Sequence, residues 1–283
     1  MNSAKAFAPA NISCIFKIYW HKKPRWTGSY GVGFTLNEGV IVTVEKAKRT
    51  EVLFNNISIS FPTVKTVINK LTREKLRVYI ESKFPLGCGF GLSGASALAT
   101  VYAVNKLLKL GKSDKQLAVV AHIAEVENKT GLGDVVNQYY GGFFVKLKPS
   151  SYFIVKRIPI NNVNVYCKYF SKISTKSIIT NPKLKNNINE AASIGLKKVQ
   201  KLIKKNEKIK LNIIIKISKE FAINSNLLKD KKVIQAIQEI RKNKGNASMI
   251  MLGNAVFSDK PFFAATRLKI MDKRAYLLSK WKI

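Results

Sequence analysis

Acidic side chains, cysteines and long apolar runs are all in short supply in this sequence. Only 16 Asp and Glu oppose 50 Lys and Arg among 283 residues, a formal net charge of +34. No run approaches the roughly 18 apolar residues that a membrane-spanning helix needs. Met1 to Ala10 carries one Lys and no sustained apolar stretch, so a secretion signal is not expected. The three cysteines, Cys14, Cys88 and Cys167, lack C-x-x-C spacing. That argues against a zinc site or a disulfide framework and fits a reducing cytoplasm. Internal repeats, low-complexity linkers, an aromatic-plus-basic RNA-binding pattern and a helix-turn-helix are also missing.

What is present suffices for a substantial core, since 46% of the residues are hydrophobic and 10% aromatic. The basic surplus would suit nucleic-acid binding if it were concentrated. Instead lysines run from Lys5 to Lys282, and the denser stretch Lys197–Lys210 interleaves them with Val199, Leu202, Ile203 and Ile209. That is the solvated face of an amphipathic helix. A generally positive field still attracts anionic substrates.

The pattern of elements is α+β. Strands are expected within Ala4–Trp20 and at Val40–Val44, Glu51–Phe54, Ile57–Ser60 and Leu76–Ile80. Between the first two of these, Pro24, Gly28, Gly31 and Gly33 mark a loop. Pro62 opens a helix to about Leu71, and Ser113 caps another over Asp114–Asn128. A third, Ser93–Leu110, is apolar and stopped by Gly111. Strands at Gly142–Leu147, Tyr152–Ile158 and Val163–Tyr169 precede helices at Leu184–Lys205, Leu211–Leu228 and Lys231–Lys242. Ala247–Phe257 and Ala264–Ile270 close the pattern as strands, and the least disruptive division falls near residue 160, giving parts 1–160 and 161–283.

Chemistry concentrates in Pro85-Leu86-Gly87-Cys88-Gly89-Phe90-Gly91-Leu92-Ser93-Gly94-Ala95. Alternating glycines let backbone N–H groups approach a ligand, and the loop runs straight into a helix whose positive end favours anions. Ser93 stands at the helix mouth, able to meet a phosphate oxygen or a magnesium ion, and Gly94, Ala95, Ala97 and Ala99 allow close packing behind it. A tight turn without a ligand is the plainer alternative. No Lys precedes Ser93, so this is not a Walker A loop. Gly89, Gly91 and Gly94 match G-x-G-x-x-G formally, but no acidic residue follows until Asp114. Cys88 has no base within the loop to activate it and reads as a packing residue. Further on, His122 and Glu125 share a helix face while Glu127 points away, and Gly131 and Gly133 can fold Asp134 back toward Glu125. If the loop serves phosphoryl transfer, which requires magnesium, that geometry chooses Glu125 over Glu127 as the ligand, together with Ser93. Taken alone, His122 is a core or surface histidine and Asp134 a helix N-cap.

The loop resembles the P-x-x-x-G-L-G-S-S-A-A motif of the GHMP kinases: Pro85, Gly89, Gly91, Ser93 and Ala95 match, while Phe90 and Leu92 replace Leu and Ser. Its narrower wording is similar to that of archaeal pantoate kinases. So are Ala6-Phe7-Ala8-Pro9-Ala10 with Gly28-Ser29-Tyr30-Gly31, Ala121-His122 through Glu125 to Thr130-Gly131-Leu132-Gly133-Asp134, and Ser248-Met249 through Met251-Leu252-Gly253-Asn254. Residues 150–244 contribute little to the resemblance.

The resemblance implies an N-terminal α/β domain related to a ribosomal-protein fold, a C-terminal α+β domain and an active site in the cleft between them. It implies transfer of the γ-phosphoryl of ATP, with Mg2+, to (R)-pantoate in coenzyme A biosynthesis. Pro85, Gly87, Gly89, Gly91, Leu92, Ser93, Gly94 and Ala95 would cradle the phosphates. Asp134 would stand by the acceptor hydroxyl as base or as orienter. Ser29, His122 and Lys146, the last where the family has Arg, would line the acceptor pocket. Mevalonate, homoserine and shikimate remain rival acceptors, a nucleic-acid-binding protein is the rival from another class, and a homodimer is left open.

Overall fold

The computed structural model describes residues 2–279. Its frame is two long antiparallel strands, β1 (Ser3–Tyr19) and β2 (Gly28–Lys46), paired from Ser3 opposite Glu45 to Tyr19 opposite Gly28. Two register shifts interrupt β1, between Pro9 and Asn11 and between Ser13 and Ile15. Proline cannot donate to a ladder, and strands tolerate it at bulges. The bulges re-aim the short Asn11–Ser13 segment, whose polar side chains reach the functional site.

β3 (Glu51–Phe54), β4 (Ile57–Ser58) and β5 (Leu76–Ser82) extend the sheet on one side, β3 running parallel to β5. β6 (Phe143–Lys146) pairs with β2 and with the short β7 (Lys156–Arg157). β8 (Val163–Ser171), β9 (Ala247–Met249), β10 (Asn254–Ser258) and β11 (Thr266–Ile270) continue it through β11, which meets β2 at Ile270 opposite Leu36. β12 (Tyr276–Leu278) pairs with the start of β1. One twelve-stranded sheet therefore runs across the division expected near residue 160.

Helix α2 (Leu92–Leu108) is buried on nearly every side, as its all-round apolar sequence requires. It packs against β1 and β2 and beneath α1 (Pro62–Leu71) and α3 (Asp114–Asn128). α3 starts with a complete capping box between Ser113 and Gln116. α4 (Asp134–Tyr140) follows a tight turn. In the C-terminal part, α5 (Thr175–Ile179), α6 (Pro182–Lys204), α7 (Leu211–Asn224) and α8 (Lys231–Lys242) follow, with α6 and α7 packing on β1. No described helix is long and apolar enough to cross a membrane.

The architecture is α+β, as the sequence pattern implied. Several local expectations give way: the strand expected over Ala247–Phe257 is the antiparallel pair β9 and β10 joined by a turn, and α2 stops at a left-handed Lys109 rather than at Gly111. Gly28, Gly31 and Gly33 lie inside β2 rather than in a loop, because a side chain at Gly31 would collide with the Ile15 carbonyl across the ladder. These glycines serve close approach, not turning. Residues 150–158 form a short 3-10 turn and the two-residue β7 in place of a full strand, and α4 was not anticipated.

Candidate active site

The phosphate loop leaves β5, passes Gly87, Gly89 and Gly91 in left-handed conformations, and enters α2 with Gly91 as N-cap at φ 63°. An L side chain disfavours that backbone. The loop is held from three directions. Asn11 N–H donates to the Phe90 carbonyl at 2.9 Å. Gln138 Nε2 on α4 donates to the Gly91 carbonyl at 2.8 Å. From the C-terminal part, Gly253 packs so tightly on Cys88 and Gly89 that a Cβ there would overlap their backbone. Phe90, standing where the motif has Leu, is buried and stacks on Phe84 with ring centroids 4.4 Å apart. Cys88 is buried and burial raises its thiol pKa, in keeping with a packing role.

In front of this loop lies a cavity of about 420 Å3. Gly87, Gly89, Gly91, Leu92 and Ser93 line it on one side, Lys129, Thr130 and Asp134 on another, and Ser174 through Lys176 from the C-terminal part. Pro85 in the loop, and Gly94 and Ala95 buried in the first turn of α2, are not among its lining residues. Gly94 gives room to Glu125, whose Oε2 would stand 3.2 Å from a Cβ at that position.

Glu125 is 1% exposed. Thr130 Oγ1 donates to its Oε1 at 2.6 Å, while Oε2 is buried without a partner. Burial pushes its carboxyl up to about 7, offset in part by the Ser93 and Thr130 hydroxyls and reinforced by the Asp134 charge. A Cβ on Gly131 would fill the space beside Oε2. An orphaned carboxylate oxygen, a hydroxyl and a nearby phosphate site form a hard-oxygen donor set suited to Mg2+, which keeps several waters. Glu127 instead pairs at the surface with Lys70 at 2.9 Å.

The proton linkage has a definite sign. A carboxyl raised in the folded state contributes its stability below its ordinary pKa near 4.5 and loses it as pH rises to about 7. Without Mg2+, Glu125→Gln should therefore become more stable than the parent chain as pH climbs through that window. The gap should reach at most about 3 kcal/mol. Denaturant unfolding of both proteins at pH 5 and pH 8 measures it, and a gap independent of pH would refute the assignment.

Asp134 opens α4 and is half-buried. Asn11 Nδ2 donates to its Oδ1 at 2.6 Å and Ser13 Oγ at 3.3 Å. Burial raises its pKa, against the pull of the Lys146 ammonium and these two donors. It is a base strengthened by its surroundings, with Oδ2 left for a ligand.

Behind Asp134 a second, small cavity of about 20 Å3 is lined by Ser29 and Lys146, and by Ile15, Phe16, Leu132, Ile179 and Leu252. Ser13, Asp134, Thr175 and Leu252 belong to both cavities, so the two meet at the carboxylate. Lys146 donates to the Gly133 carbonyl at 3.0 Å and to Asn137 Oδ1 at 3.1 Å, and burial lowers its pKa to about 8.

The expectation for His122 is not met by this arrangement. Neither it nor Glu125 on the same helix lines a cavity, but Glu125 keeps an unpartnered Oε2 near Ser93, whereas the His122 Nε2 bonds the Thr27 carbonyl at 2.9 Å and its ring lies against Phe153. Burial drives its pKa down to about 4, so it is a neutral core histidine tying α3 to the start of β2. Conversely, Asn11, Ser13, Asn137 and Gln138 went unrecognised as site residues. Pro9 inside a strand was the one sequence signal of the bulge that presents the first two.

A glycine-rich loop running into a helix N-terminus, a buried carboxylate beside it and an Asp at the junction of two cavities are the parts a small-molecule kinase would need. Residues 61–142 match the family model of the GHMP kinases N terminal domain. Over 256 residues, covering 89% of this chain and 90% of the relative, the sequence is 34% identical to the pantoate kinase of Methanocaldococcus jannaschii. It is 30% identical to that of Methanospirillum hungatei over 261 residues, 89% of this chain and 86% of the relative. A solved phosphotransferase related to the CoA biosynthesis pathway superposes with a TM-score of 0.83 at 24% identity, covering 99% of each chain. By these comparisons the protein is a GHMP kinase. Within that superfamily it belongs to the pantoate kinase family.

Proposed function

We propose that this protein transfers the γ-phosphoryl group of ATP to the C4 hydroxyl of (R)-pantoate, with Asp134 orienting that hydroxyl or taking its proton as the oxygen bonds to phosphorus. The observation that carries this is the meeting of the two cavities at Asp134, phosphate loop on one side and Lys146 on the other. ATP lies in the larger cavity with its phosphates on the α2 N-terminus. Ser93 and Glu125 would hold Mg2+, which would supply charge neutralisation to the transferred phosphoryl group.

The smaller recess fits pantoate by chemistry. Lys146 uses two of its three N–H groups within the protein, leaving one for the acceptor carboxylate. Ser29 Oγ serves the C2 hydroxyl, and Ile15, Phe16, Leu132, Ile179 and Leu252 receive the geminal methyls. Homoserine would bring an ammonium toward Lys146 and leave that apolar wall bare. At about 20 Å3 the recess has room for little more than a water, so seating pantoate requires α5, which supplies Thr175 and Ile179, to shift outward.

An ADP-release assay over pantoate, pantothenate, homoserine, mevalonate and shikimate tests the assignment. Pantoate should lead in kcat/KM by at least about 100-fold, and a better rate with any other acceptor would replace it. Lys146→Ala should raise the KM for pantoate about tenfold or more while moving that for ATP little, because a charged contact is lost on one side only. Equal shifts for both substrates would remove Lys146 from the acceptor site.

A further inference from the structure

The four polar residues around the acceptor recess form a chain with a direction. Lys146 Nζ donates to Asn137 Oδ1 at 3.1 Å, Asn137 Nδ2 to Asn11 Oδ1 at 2.8 Å, and Asn11 Nδ2 to Asp134 Oδ1 at 2.6 Å. Asn11, Asn137 and Lys146 are at most 3% exposed, so water does not compete for these bonds. The direction is imposed from both ends. An ammonium has only donors, so the Asn137 atom it meets must be the oxygen, and Asn137 must then offer its NH2 to Asn11. An ionised Asp134 has only acceptors, so Asn11 must face it with its own NH2 and turn its oxygen to Asn137. The two requirements agree, and neither amide can be flipped without setting like against like.

The link is built into the backbone as well. The bulges of β1 present Asn11, and Gly33 of β2 makes room for Asn137, whose Nδ2 would lie 2.8 Å from a Cβ there. Only the Asp134 end of the chain opens on the phosphate cavity; Asn11 and Asn137 line neither cavity.

We propose that Asn137 and Asn11 are positioning residues: an oriented amide relay that couples the acceptor-side Lys146 to Asp134, holding Oδ1 so that Oδ2 faces the acceptor hydroxyl. The relay lets Lys146 set the orientation of Asp134 without touching it. The inference rests on Asp134 being the group that meets the hydroxyl.

Reversing one link tests it. Asn137→Asp keeps shape and can still accept from Lys146, but it presents an oxygen to Asn11. The Asn11 amide must then turn its own oxygen onto Asp134. At saturating ATP and acceptor, kcat should fall about 10- to 100-fold, the scale of a misplaced catalytic group. The KM for ATP should stay within about threefold.

The decisive measurement is the cycle with Asn11→Ala, which removes the mediator. In that background Asn137→Asp should add less than about a threefold further loss in kcat, whereas residues that acted on Asp134 independently of each other would multiply their effects. Full multiplication, or a folded Asn137→Asp protein with kcat within about threefold of the parent, would overturn the relay. If Asn137→Asp is isolated unfolded, Asn137→Leu carries the same cycle with the same two readings. ADP release is read with whichever acceptor the parent chain uses. A wrong acceptor is thus visible in the parent protein, and a silent relay only in the variants.

Discussion

Asp134→Asn should cost about 100- to 10,000-fold in kcat, the range typical of removing a general acid–base group. The substitution keeps the N-terminal position of α4 and the shape of the side chain. It replaces an acceptor by an amide of which one end must face the donors Asn11 and Ser13. The amide oxygen satisfies them, which turns the NH2 toward the acceptor hydroxyl. The hydroxyl then meets a donor where it needs an acceptor. Nucleotide affinity, measured by calorimetry with a non-hydrolysable analogue, should change little because the phosphate loop is held by other residues. Turnover within about tenfold of the parent would show that Asp134 only accepts from Asn11 and Ser13 and that the transfer needs no acceptor there.

The second large effect concerns the metal side. Ser93→Ala and Glu125→Ala should each lower kcat by about two to three orders of magnitude at a fixed, limiting Mg2+ concentration, since a metal-held transition state is worth several kcal/mol. If both side chains grip one ion, the double variant should be scarcely worse than the poorer single one. Free energies that add would assign the two residues to separate tasks. Glu125→Ala also removes a buried carboxylate whose Oε2 has no protein partner, so its fold should persist while its Mg2+ dependence weakens.

These assignments were legible in the sequence to different degrees, and for physical reasons. The glycine-rich loop announced itself because glycines that would expose backbone N–H groups stand at alternate positions within a few residues, ahead of a helix. Helix starts at Pro62 and Ser113 were equally local, being settled within one turn of chain. Glu125 was separable from Glu127 by helix geometry alone. By contrast, Asn11 and Asn137 lie 126 positions apart and acquire meaning only through their mutual bond. The glycines of β2 misled because the same residue serves turning and close approach, and only the partner strand decides which. His122 misled in another way: sharing a helix face with Glu125 fixes a direction, not a neighbour, and the carbonyl of Thr27 claimed its ring.

The brace that Gly253 places on the phosphate loop has a consequence for how the enzyme comes into being. That glycine is translated about 160 residues after Gly91. At ordinary synthesis rates it emerges about ten to thirty seconds later. During that interval the loop can gain the Asn11 bond first and the Gln138 bond once that residue has followed, but has no backing on its Cys88–Gly89 side. Nucleotide affinity should therefore be among the last properties the nascent chain acquires. Chains halted before residue 253 would carry the entire motif yet bind ATP poorly, which keeps half-made protein from sequestering the nucleotide.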